Sequence, residues 1–256
     1  MLIRREINER VGSIILDRPE KRNALSVQLI KELQDAFDAF IVDDAVKIIV
    51  IKSSGKIFCA GADLTYIQAL QNFTYEENLE DSKFLDHLFY TIYTSPKVTI
   101  AQVEGLAIAG GCGLAFCTDF VFATPSAQFG YSEVNIGFVP ALVSIYLTKK
   151  VGEATAKHLL LDGLNISSEE AYRRHLVYKI VAEDFIAEEV MKFASMMVTK
   201  KSGISLTMTK ELIHTALDLS VRDGLDLARE YNAKARGTKD CKKGIAGFLN
   251  KQPIVW

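Results

Sequence analysis

Short runs rich in Val, Ile and Phe recur through the first two thirds of the chain, at positions 11–17, 46–52, 98–103, 119–123 and 176–181. Most are close to continuously apolar, the pattern of strands buried on both faces. Between the first two, positions 26–42 place Leu29, Ile30, Leu33, Phe37, Phe40 and Ile41 on one helical face. Positions 83–94, with Phe84, Leu85, Leu88 and Ile92, predict a second helix ahead of the third strand. This alternation predicts an α/β fold. From about Glu183 the pattern changes to helices in succession, at 185–199, 204–216, 220–236 and 239–249. The expected division is therefore a core over residues 1–182 and a helical C-terminal subdomain over 183–256, with no Pro- or Gly-rich linker between them.

The 256 residues fit one large domain with a helical appendage, long enough to build a substantial core. Thirty basic and 32 acidic residues are interspersed, giving a net charge of −2, so no basic face for nucleic acid is expected. No run approaches a membrane span, and the opening MLIRREINER has no apolar signal core, so a soluble cytoplasmic protein is expected. Cys59, Cys112, Cys117 and Cys241 are expected as reduced thiols. Neither they nor His87, His158, His175 and His214 show ligand spacing, and no metal site is predicted.

Three stretches carry candidate chemistry. Phe58-Cys59-Ala60-Gly61-Ala62-Asp63 follows the 46–52 strand. Its small residues suit either a tight strand-to-helix turn or a backbone that approaches a ligand, and Asp63 suits the cap of a helix beginning at Leu64. Glu104 to Ala115 follows the 98–103 strand, and its run Gly110-Gly111-Cys112-Gly113 presents bare amides at a helix start, a place to hold developing negative charge. A dinucleotide fingerprint through Gly111 and Gly113 fails at Phe116, a phosphate loop ending at Lys56 fails at Val50, and a nucleophile elbow around Ser132 fails at Val134. The third stretch sets Glu133 among Phe129, Tyr131, Val134, Ile136 and Phe138. It suits either a solvated loop or a desolvated glutamate whose raised pKa fits proton transfer near neutral pH.

In this order and spacing the three stretches resemble the crotonase (enoyl-CoA hydratase/isomerase) family. The resemblance runs from Leu16-Asp17-Arg18-Pro19 through Arg22-Asn23-Ala24-Leu25 to Gly247-Phe248-Leu249-Asn250-Lys251. It implies a spiral of ββα units with a helical trimerisation region, hence a homotrimer or dimer of trimers. It also implies an acyl-CoA substrate and no cofactor beyond the CoA that the substrate carries. Two backbone N–H groups that bind the thioester oxygen map onto Ala60 and Gly110, and CoA contacts onto Arg22, Ala24, Ala60, Gly61, Ala62, Asp63 and Gly110, with Lys251 near the phosphates.

Two departures shape the expected activity. Two-glutamate hydratases of the family carry glutamates at the positions of Gly113 and Glu133, and only the second is present here. One carboxylate can remove a proton at one carbon and return it at another, so a double-bond shift is favoured, as in the similar Δ3,Δ2-enoyl-CoA isomerases. Hydration or a hydratase-lyase reaction by the single glutamate is the alternative, and a catalytically weak acyl-CoA-binding protein is the alternative of another class. The second departure is Pro140-Ala141-Leu142-Val143-Ser144, on the acyl side of the family's pocket, where many hydratases are Gly-rich.

Overall fold

The structure is a computed structural model that describes all 256 residues. An antiparallel pair, β1 (Ile3–Asn8) and β2 (Val11–Leu16), leads into α1 (Val27–Val42). Units of two strands and a helix then follow. The first is β3 (Ile48–Ser53), β4 (Ile57–Cys59), α2 (Leu64–Leu70) and α3 (Tyr75–Thr94). The second is β5 (Val98–Val103), β6 (Leu106–Ile108) and α4 (Gly110–Phe116). The third is β7 (Phe120–Ala123), β8 (Gln128–Gly130) and α5 (Ala141–Asp162). The core closes through β9 (Asn165–Ser167), α6 (Ser168–Arg173), β10 (Lys179–Ile180) and α7 (Ile186–Lys200), before α8 (Gly203–Ala216), α9 (Val221–Gly237) and α10 (Lys239–Leu249).

Each unit sends its first strand to a six-stranded sheet, β1-β2-β3-β5-β7-β10, and its second to a four-stranded sheet, β4-β6-β8-β9. This is the expected ββα spiral. The inner strands β2, β3, β5 and β7 of the large sheet are buried on both faces, which accounts for their nearly continuous apolar runs. Along β3, Ile49 and Ile51 enter the main core with Leu29, Leu33 and Phe37 of α1. Ile48 and Val50 point the other way, into a second cluster with Val190, Ala194 and Met197 of α7.

That second cluster draws its helical residues from beyond the change in pattern at residue 183. Because α7 covers a face of the sheet, buried packing continues to Val198, and Leu206 of α8 packs against the same cluster. Helices α8, α9 and α10 bury no residue completely and leave Ile213, Val221, Leu225, Ile245, Phe248 and Leu249 exposed. No helix is long and apolar enough to cross a membrane.

Candidate active site

Strands β4, β6 and β8 lie side by side and parallel in the small sheet. Each of the three chemical stretches leaves the carboxyl end of one of them: Ala60 follows β4, Ala109 and Gly110 follow β6, and Tyr131 to Glu133 follow β8. Stretches that lie well apart in the chain, at Ala60, Gly110 and Glu133, therefore converge, in the place where ligands bind to parallel sheets. They meet at a cavity of about 460 Å³ whose lining includes Ala60, Ala62, Gly110, Ser132 and Glu133, with mostly apolar side chains around them.

The first loop is held by the N-terminal signature. Leu25 N–H donates to Gly61 O at 2.7 Å and Leu25 O accepts from Asp63 N–H at 2.9 Å, a one-residue parallel bridge opposite Ala62. In such a bridge the flanking residues make the bonds, so the N–H of Ala62 faces away from Leu25. No carbonyl accepts it. Ala60 differs: its N–H donates to Arg22 O at 3.1 Å. Gly61, at φ 81°, turns the chain between them, and a side chain there would meet Ile108 O at 3.0 Å. The assignment of Ala60 as an oxyanion donor is therefore corrected. Its amide is engaged, and the free amide on this loop belongs to Ala62.

Gly110 opens α4, where the first N–H groups have no partner within the helix. Ala109 before it holds φ 52° and ψ −118°, a backbone state that costs a non-glycine residue roughly 1–3 kcal/mol. The other end of α4 is fixed by Lys150, whose Nζ donates to Phe116 O at 2.9 Å and Thr118 O at 2.8 Å; burial lowers its pKa to about 8.

Glu133 begins a single 3₁₀ turn, Glu133–Ile136, closed by Gly137 at φ 74°. The residue is 9% exposed, and its Oε2 is buried without a hydrogen-bond partner. Burial raises its pKa, only partly offset by its own backbone N–H. The apolar neighbours named from sequence divide in two. Phe129 and Tyr131 turn into the core, and Val134 does not line the cavity. Ile136 and Phe138 do line it, joined by Phe89, Leu142 and Val143.

Several expected binding residues do not line the cavity. Ala24 is buried, and Arg22 is exposed and reaches the site through its carbonyl. Asp63 caps α2 through Thr65 N–H at 3.0 Å and pairs with Arg18 at 2.9 Å. Burial opposes its ionisation, but Thr65 and Arg18 outweigh that and hold its pKa below the ordinary value. Lys251 follows α10, exposed, and does not line this cavity. Sequence reading passed over Asn23, fully buried, whose side chain accepts from Arg18 N–H at 2.9 Å and donates to Ser54 O at 3.1 Å and Ile57 O at 2.8 Å. A lone amide between Arg22 and the apolar pair Ala24-Leu25 was the available signal.

Gly113 sits on α4 against Phe89, whose ring occupies the space a side chain would enter. An added Cβ would meet Phe89 Cζ, with Phe89 Cε2 and Val143 Cγ1 each at 2.9 Å.

The amide correction is testable by replacing single residues with their α-hydroxy analogues, which exchanges N–H for oxygen. At Ala62 this change lowers kcat/KM by about 10²-fold, the size expected for one lost oxyanion donor. At Ala60 the loss is smaller, since only the bond to Arg22 goes. The reverse order would return the donor role to Ala60.

Comparison with known proteins bears on the family and the fold. The family model described as enoyl-CoA hydratase/isomerase matches residues 6–256. A putative enoyl-CoA hydratase of Thermus thermophilus is 41% identical over 95% of this chain and 96% of its own length. The mitochondrial enoyl-CoA hydratase of Pongo abelii is 35% identical over 96% of this chain and 83% of its own. A solved structure of a putative enoyl-CoA hydratase/isomerase (crotonase) from Legionella pneumophila superposes with a TM-score of 0.91 at 37% identity, covering 99% of this chain and 98% of the other.

Proposed function

The chain belongs to the enoyl-CoA hydratase/isomerase family, and on that premise we propose that it shifts the double bond of an enoyl-CoA thioester with Glu133 as its single proton carrier. The observation that carries this reading is the buried, unpartnered Oε2 of Glu133 in the same cavity as the amides of Ala62 and Gly110. On a 3-enoyl thioester, Glu133 takes a proton from C2. The electrons move onto the thioester oxygen, where the Ala62 and Gly110 N–H groups stabilise the charge. The enolate then collapses, the double bond forms between C2 and C3, and C4 receives the proton back from Glu133. No second acid or base enters the cycle, and Phe89 fills the space beside Gly113 where another carboxylate would stand.

A second reading, hydration by Glu133 alone, is favoured by the activity for which the relatives are named. Absorbance at the conjugated-thioester band separates the two. Under the first reading a trans-3-enoyl-CoA gains absorbance faster than the matching trans-2-enoyl-CoA loses it. Rapid loss from the 2-enoyl substrate with no gain from the 3-enoyl one would establish the hydratase. Acyl-CoA binding without either change would leave a binding protein.

The protein is also proposed to assemble as a trimer or dimer of trimers. Support comes from the exposed apolar residues of α8, α9 and α10, notably Phe248 at 81% exposure. In such an assembly Lys251 would approach the CoA phosphates of a neighbouring subunit. Light scattering at micromolar concentration is expected to give three or six times the chain mass, and a monomer would overturn the assembly.

A further inference from the structure

The cavity holds a second carboxylate that the proton-transfer cycle does not use. Asp81, on α3, lines it together with Tyr66 of α2, and the Tyr66 hydroxyl donates to Asp81 Oδ1. No Lys, Arg or His lines the cavity, and no cation pairs with Asp81. With its only proton committed, Tyr66 presents an acceptor oxygen, and Asp81 retains Oδ2 as an acceptor. The pair therefore offers acceptors to whatever enters. Burial without a compensating cation raises the pKa of Asp81, a cost that a donor on the substrate would offset.

Asp81 stands apart from the groups that would hold the thioester. Phe89 packs beside Gly113, one helical turn along α4 from Gly110. Asp81 precedes Phe89 by eight positions on the same continuous helix, or about 12 Å at 1.5 Å per residue. Asp81 thus lies in the same cavity as Gly110 and Glu133, set off from them along α3, where an acyl chain running from the thioester along that helix would end.

We propose that Asp81 and Tyr66 form the specificity-determining contact for the distal end of the acyl chain, and that this end carries a hydrogen-bond donor, a hydroxyl or an ammonium. The same acidic, cation-free lining selects against acyl chains ending in a carboxylate. This rests on the enoyl-CoA reading of the site and names its substrate class.

The test compares medium-length acyl-CoA thioesters of equal length with a methyl, hydroxyl, ammonium or carboxylate terminus. Saturated forms measure binding by calorimetry, independently of turnover, and the 3-enoyl forms measure kcat/KM. Wild type is expected to favour the hydroxyl or ammonium form over the methyl form by about tenfold, the scale of one hydrogen bond to a charged group. It is expected to bind the carboxylate form most weakly. Asp81→Leu should invert the ranking of donor and methyl forms, and Asp81→Asn should reduce the preference for ammonium more than that for hydroxyl. Because each comparison is a ratio within one variant, a general loss of folding does not imitate it. Equal binding of methyl and donor forms by wild type, or a ranking unchanged in Asp81→Leu, overturns the proposal while leaving the proton-transfer reading intact. Failure to bind or turn over any of these thioesters overturns both.

Discussion

Glu133→Gln lowers kcat on the best enoyl-CoA substrate by at least about 10²-fold, with little change in affinity for the thioester. The substitution keeps the shape and hydrogen-bonding capacity of the side chain and removes its ability to hold a transferable proton. Because burial raises the pKa of Glu133, the ionised base forms only at higher pH than for a free glutamate. The acid limb of the kcat/KM profile is therefore displaced above the ordinary value of about 4.3, with activity rising as pH rises, and Glu133→Gln lacks that limb. The stability consequence has the opposite sense. A raised folded-state pKa means that the native state holds its proton more tightly than the unfolded chain, so this stabilisation is complete at low pH and is lost as pH rises through the folded pKa. Glu133→Gln should thus melt above wild type on the alkaline side, with the gap closing towards acid pH. Near-wild-type turnover in the variant would remove Glu133 from the mechanism.

The parts of this molecule that sequence revealed are those where a periodic pattern and a packing role coincide. The strand at 98–103 and the helix at 239–249 have the predicted bounds, and α1 begins one residue later, after its Ser26 cap. Helix α3 starts eight residues earlier than its apolar periodicity indicates. Its first turns are charged and exposed, and they are held by a capping box between Thr74 and Glu77 rather than by burial. Helix α5 was not predicted. It begins at the Pro140 turn with a branched and aromatic segment, and it bends at Gly152, where φ is 77°. Strands β4, β6 and β8 are three residues each, too short for a period to register, yet they bring the site together.

The candidate site divides in the same way. Residue type and setting pointed to Glu133 and to the glycine run at Gly110. The choice between Ala60 and Ala62 depended on which amide the 22–25 segment engages, a fact of tertiary hydrogen bonding with no local signature. Asp81 was passed over because nothing in its neighbourhood of Glu80, Ser82 and Lys83 separates it from a solvated helix face. Only the cavity does.

Introducing the absent carboxylate is the more demanding experiment, and the packing around Gly113 dictates how it must be done. Gly113→Glu alone should depress both hydration and the double-bond shift and lower the melting temperature, because the new Cβ is driven against Phe89, which is 0% exposed, and against Val143. Overpacking of this kind costs about 1–3 kcal/mol, before the penalty for burying a further charge. Trimming the obstructing ring makes room. Phe89→Val costs less than the ~3–5 kcal/mol of a full truncation to alanine, and the glutamate of the double variant refills part of the space. Two carboxylates facing one cavity cannot ionise independently, so one pKa rises and that group becomes an acid able to deliver the proton that hydration needs. The ratio of hydration to double-bond shift should therefore rise in Gly113→Glu/Phe89→Val relative to Phe89→Val alone, even where both absolute rates fall. Phe89→Val is the proper reference, since it carries the same truncation without the added carboxylate. An unchanged ratio in a folded double variant would show that the glycine at 113 does not set the reaction preference.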